Sequence, residues 1–90
     1  MGLLQKLKKV LTPVGPEFNE GKLTGREYAK KDAQKFETAV HRPSSASGSL
    51  KSRSYTNQLR EQGKSDEFIK GFHFGYRERY EELISVYFGT

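Results

Sequence analysis

The stretch Ser65-Asp66-Glu67-Phe68-Ile69-Lys70-Gly71-Phe72-His73-Phe74-Gly75-Tyr76-Arg77-Glu78-Arg79-Tyr80-Glu81-Glu82-Leu83-Ile84-Ser85-Val86-Tyr87-Phe88 is the one long segment whose apolar residues keep a helical period from end to end. Ile69, Phe72, Tyr76, Tyr80, Leu83 and Tyr87 recur three or four apart and fall on one narrow stripe at 100° per residue. Phe68 and Val86 widen the stripe on one side, His73 and Ile84 on the other. Phe74 and Phe88 project from a different face, beside Lys70, Arg77 and Glu81. A helix with rings on more than one face lies centrally in its fold or touches a partner. Ser65 is placed to cap this helix, with Asp66 and Glu67 at the positive end of its dipole. Gly71 and Gly75 each cost about 1 kcal/mol relative to alanine inside a helix, so the spacing predicts a close neighbour or a bend there.

Working back toward the N-terminus, Tyr55 to Gln62 reads as a short helix with Tyr55 and Leu59 inward, closed by Gly63. The preceding run from Arg42 to Ser54 is rich in serine, glycine and cations, a composition that predicts a flexible basic linker over 42–54. Before it, Thr24, Glu27 and the apolar pair Leu23 and Tyr28 form a capping-box pattern, which predicts a helix over 24–41 ended by Pro43 and a loop over 17–23. The apolar face of that helix collects Tyr28, Ala29, Ala33, Phe36, Ala39 and Val40, interrupted by Asp32. A carboxylate there needs a partner, for which Arg79, His73 or a tyrosine hydroxyl of the last helix is suited. Gly2 to Leu11 reads as a short amphipathic helix that Pro13, Gly15 and Pro16 would stop. The expected architecture is one small all-α domain in which helix 24–41 pairs antiparallel with the long helix 65–88.

Ninety residues permit one small domain, burying about 60 to 65% of the surface its unfolded chain exposes. Leu, Ile, Val and Phe number only 20, so tyrosines must complete the core or a partner must supply the rest. There is no cysteine, which removes disulfides and thiolate metal sites and fits a reducing compartment, here expected to be the cytoplasm. The N-terminal lysines lie among the apolar residues instead of ahead of them, and no run is long enough to span a bilayer. Residues 1 to 64 carry 13 Lys/Arg against 6 Asp/Glu, while 65 to 90 carry 3 against 5. A basic front joined to an aromatic back describes a chain that attracts anions and offers apolar contacts.

No catalytic constellation stands out. Gly63-Lys64-Ser65 resembles the tail of a phosphate loop, but Gln58 stands where its first glycine belongs and no strand precedes it. His41 and His73 lack carboxylate or cysteine neighbours at ligand spacing, so neither a metal nor a cofactor is expected. Residues 59 to 69 resemble a helix-turn-helix in having a glycine turn, yet Asp66 and Glu67 open the would-be recognition helix, where they would face phosphates. The leading expectation is a non-enzymatic module, adaptor or stoichiometric inhibitor that binds another protein through Lys70, Phe74, Arg77 and Phe88, since rings beside cations are the chemistry of contact hot spots. A second copy of the chain is one such partner. The alternative is nucleic-acid binding through Arg26, Lys30, Lys31, Lys35, Arg42, Lys51, Arg53 and Arg60.

Overall fold

The computed structural model describes residues 15–89, all helix and connecting turns with no strand among them. Helix α1 (Pro16–Asp32) tightens into a 3-10 segment (Ala33–Thr38), α2 covers Ser45–Glu61, and α3 covers Asp66–Phe88. The expected N-terminal helix over Gly2 to Leu11 lies outside the described residues.

Helix α3 is the rod that its period predicts. Ser65 caps it by accepting the Phe68 amide at 3.2 Å. Of its stripe, Ile69, Phe72, Tyr76, Tyr80 and Leu83 are buried, whereas Tyr87 at the far end is 41% exposed. The turn before it also follows the sequence. Gly63 takes a positive φ of 84°, its amide donates to the Arg60 carbonyl, and the Lys64 amide donates to the Leu59 carbonyl, a Schellman ending that satisfies two orphan carbonyls of α2.

Two boundaries differ from expectation. First, the chain over 17–23 is helical and α1 begins at Pro16, not at 24. Proline at the first helical position has its φ already set and loses no bond, and Glu17 complements the dipole. Thr24 is therefore interior, its hydroxyl donating to the Glu20 carbonyl at 2.8 Å instead of capping. The α-helix also ends early, at Asp32, and only the 3-10 segment carries it to Thr38. Second, residues 45–54 of the expected linker are the first half of α2. Ser44 starts it by accepting the Ser47 amide at 3.2 Å. Its small residues are its docking face: Gly48 and Ser52 are buried, and a Cβ on Gly48 would stand 2.6 Å from the Tyr80 ring. Serine and glycine here admit rings that larger side chains would push away.

Extended to Ser45–Glu61, the helix expected only over 55–62 is long enough to carry the chain back along the domain, so α1 and α3 pair parallel, not antiparallel. Gly21 abuts Phe68 and Phe72 while Gly25 abuts Phe72 and Tyr76, both sequences rising together. Reciprocally, Gly71 meets the carbonyl of Phe18 and Gly75 that of Lys22. Four glycines thus bring two backbones into contact, close enough for Cα–H···O bonds between the helices. Beyond the glycines, Ala29 and Ala33 continue the small face into the core. There Phe36 meets Tyr80, Tyr87 and Phe88 edge-on with centroids 5.4, 5.8 and 5.8 Å apart.

Gly75→Ala weighs these contacts against helix propensity. Alanine favours the helix by about 1 kcal/mol, but its Cβ would enter the Lys22 carbonyl, and the forced separation costs more. Urea unfolding is expected to show a net loss of about 2 kcal/mol; an unchanged or higher midpoint would contradict the parallel glycine contact.

Candidate functional site

Close approach of α1 to α3 shapes the outer surface. Lys70, Phe74 and Arg77 lie three or four apart on the face of α3 turned from the core, and Phe18 arrives beside them because its turn packs against Gly71. The Phe18 and Phe74 rings are tilted at 47° with centroids 6.1 Å apart, and Lys22 Nζ stands 5.2 Å from the Phe74 centroid. Phe18, Lys70, Phe74 and Arg77, together with His73, Glu78 and Glu81, line a cleft of about 510 Å³. Phe74 is 49% exposed, more than any other aromatic side chain among the described residues. Phe88, also expected to bind a partner, lies at the opposite end of α3, partly buried against the core beside Phe36.

The basic residues do not form one strip. Arg26 is committed to Glu78 at 2.5 Å and Glu82 at 3.3 Å, linking α1 to α3. Its bond to Glu82 is the main cause that raises the guanidinium pKa. Arg79 at 2.9 Å, then Arg26, hold the Glu82 carboxyl below its ordinary value. Arg42 donates to the Gly89 carbonyl. Lys30 and Lys31 are exposed on α1, while Lys35 and Lys51 flank a separate hollow of about 230 Å³ near Asp32. Arg53 and Arg60, on α2, face a different cleft of about 440 Å³ shared with Lys70 and His73.

Beneath these clefts lie two polar contacts. Asp32 accepts hydrogen bonds from Tyr55, at 3.0 Å to Oδ2, and from Tyr76. The expectation of a tyrosine hydroxyl on the last helix is met by Tyr76; Tyr55 of α2 was not foreseen. Burial and the bond to Asp32 push the Tyr76 hydroxyl well above the ordinary tyrosine range, so it remains a donor. The second contact joins Ser52 Oγ and His73 Nδ1 at 2.7 Å. Ser52 is fully buried, so its oxygen orients the ring and offers nothing to solvent. Among the described residues no three His, Asp or Glu side chains converge as metal ligands, and no helix is long and apolar enough to cross a membrane.

Compared with known protein families, with curated proteins and with solved structures, the chain matches none. The site therefore has to be read from its own chemistry. Spacing on a single helix was enough to gather Lys70, Phe74 and Arg77. Phe18, Lys22 and the Ser52–His73 bond come from other elements, and only the four glycines along α1 and α3 signalled which backbones meet.

Asp32→Ala would leave the fully buried Tyr76 without its acceptor and is expected to lower stability by about 2 kcal/mol, with Asp32→Asn costing less. Equal thermal midpoints for Asp32→Ala and the parent would show that the carboxylate holds nothing.

His73 predicts a pH dependence. Burial first, then Arg77 and Arg53, lower its pKa below the ordinary 6.5. The unfolded chain then takes up a proton that the folded chain resists, so stability falls as pH drops from about 7 to about 5. His73→Gln should flatten that slope in denaturant titrations at several pH values, and an identical slope would exclude His73 as its source.

Proposed function

We propose that this chain is a non-enzymatic binding protein, an adaptor or stoichiometric inhibitor, whose protein partner docks on the cleft between Phe18 and Phe74. The half-exposure of Phe74 is the observation that carries this reading. Intramolecular packing claims the rings of the stripe, and the core is complete without this one. Phe18 and Lys22 hold Phe74 in place, so a partner would meet a ring whose conformational freedom is already spent. Around it stand both signs of charge, Lys70 and Arg77 against Glu78 and Glu81, which gives direction to a contact that apolar area alone would leave unspecific. A cysteine-free chain is suited to the reducing cytoplasm, where such a partner would be met.

Nucleic-acid binding along residues 26–60 has less support. Two of its eight cations, Arg26 and Arg42, already have partners within the fold. Of the rest, Lys35 and Lys51 flank one hollow and Arg53 and Arg60 another.

The test is retention of nuclease-treated cell protein on the immobilised full chain and on Phe74→Ala. A specific protein retained by the parent is expected to bind the variant at least about thirtyfold more weakly, as for loss of an interface hot spot of about 2 kcal/mol. The variant's helical circular dichroism should be unchanged. A folded variant that retains the same protein equally well refutes the proposal.

A further inference from the structure

Two clefts meet at His73. Lys70 and His73 line both the Phe74 cleft and the neighbouring one between α2 and α3, so the two form a continuous surface of differing chemistry. The Phe74 side carries Glu78 and Glu81. The α2/α3 side presents Arg53, Arg60 and Lys70 with no carboxylate in its lining. Arg53 has no ion-pair partner among the described residues. Arg60 reaches only the Asn57 amide oxygen, at 3.4 Å, and Lys70 has only the exposed Glu67 at 3.5 Å. Three cations around one hollow repel one another, and the fold itself supplies little to offset them.

The hollow's inner wall is organised as well. Buried Ser52 fixes the His73 ring through Nδ1, and Nε2, which has no partner among the described residues, is not sealed from solvent. Burial first, then the charges of Arg77 and Arg53, lower the basicity of this imidazole, so both arginines act on the ring that the two clefts share.

We infer that the α2/α3 cleft is a carboxylate-binding subsite: Arg53, Arg60 and Lys70 take the acidic side chains of an extended protein segment whose neighbouring apolar residue enters the Phe74 cleft. This rests on the reading of the Phe74 cleft as a docking site. A peptide suits the pair of clefts better than a nucleic acid does. A base stacked on Phe74 would bring its phosphates toward Glu78 and Glu81, whereas a peptide can place an uncharged residue there and its carboxylates one cleft away. The chain's own residues 1–14 have the wrong sign, with Lys6, Lys8 and Lys9 and no acid.

Labelled hexaglutamate, the same peptide with one inserted phenylalanine, and an oligothymidylate of equal charge would be titrated against the full chain by fluorescence anisotropy. Hexaglutamate is expected to bind at about 20 mM salt and to weaken at about 200 mM. Arg53→Ala/Arg60→Ala, which alters exposed side chains of α2, is expected to weaken it about fivefold. The inserted phenylalanine should tighten binding to the parent, and Phe74→Ala should abolish that gain. Bound peptide should also raise the His73 titration midpoint in NMR spectra.

Hexaglutamate binding that is absent, or indifferent to both arginines, overturns the subsite. So does an oligothymidylate that binds more tightly through the same residues, or self-association abolished by the double variant. If the glutamates bind as expected but the added phenylalanine contributes nothing, the Phe74 docking reading is what fails, and the extended segment with it.

Discussion

The contact between the backbones of α1 and α3 is what the rest of the structure depends on. Gly21 and Gly25 on one helix and Gly71 and Gly75 on the other each leave a space that a carbonyl or amide of the opposing helix occupies. Glycine in a helix is unfavourable by itself, and here the loss is offset by dispersion and Cα–H···O contacts that no larger residue would permit. The four-residue steps match on both helices, so the contact fixes register as well as distance. From that register follow Phe18 beside Phe74 and Arg26 between Glu78 and Glu82.

With one side of α3 occupied by backbone, its large rings are confined to the remaining directions. Phe72, Tyr76 and Tyr80 stack in succession with centroids 6.1 and 5.7 Å apart, and α2 accommodates them with Gly48, Ser52 and Thr56, all buried. A core built from tyrosines brings hydroxyls inside. Each has to end on a partner, and they do: Tyr76 and Tyr55 on Asp32 and Tyr80 on Ser47, leaving no buried side-chain polar atom unpaired among the described residues. The small aliphatic content of the chain is thus made up by aromatic area whose polar ends are satisfied internally.

The parts of this fold that could be read from sequence are those decided locally. The α3 stripe, its Ser65 cap and the Gly63 ending depend on residues within a turn or two of one another. Residues 17–23 read as a loop because the capping-box pattern at Thr24 and Glu27 sets the helix start too late, and 45–54 read as a linker because serine and glycine count as helix-weakening when the segment is judged alone. Opposite a ring or another backbone, the absence of a side chain is what the packing needs. The reading of 45–54 then propagates, since it leaves only the short helix 55–62 to return the chain, and a full-length α2 is what makes the pair parallel. Lys70, Phe74 and Arg77 were legible for the same local reason as the stripe. Phe18, Lys22 and the commitment of Arg26 to two glutamates were not, because each depends on the approach of α1. A recurring pair of glycines four apart, once in each helix, was the available clue.

Fifty residues separate Gly21 from Gly71. Closing a loop of that length costs more entropy than joining α2 to α3 across their short turn, so the contact of α1 with α3 is the one that chain entropy opposes most. During synthesis α1 leaves the ribosome long before its partner exists. The closest part of its eventual contact is glycine, alanine and peptide backbone, with Phe18 and Tyr28 the only rings of α1, so the waiting helix offers other nascent chains less adhesive surface than a helix that docks through a full aliphatic stripe.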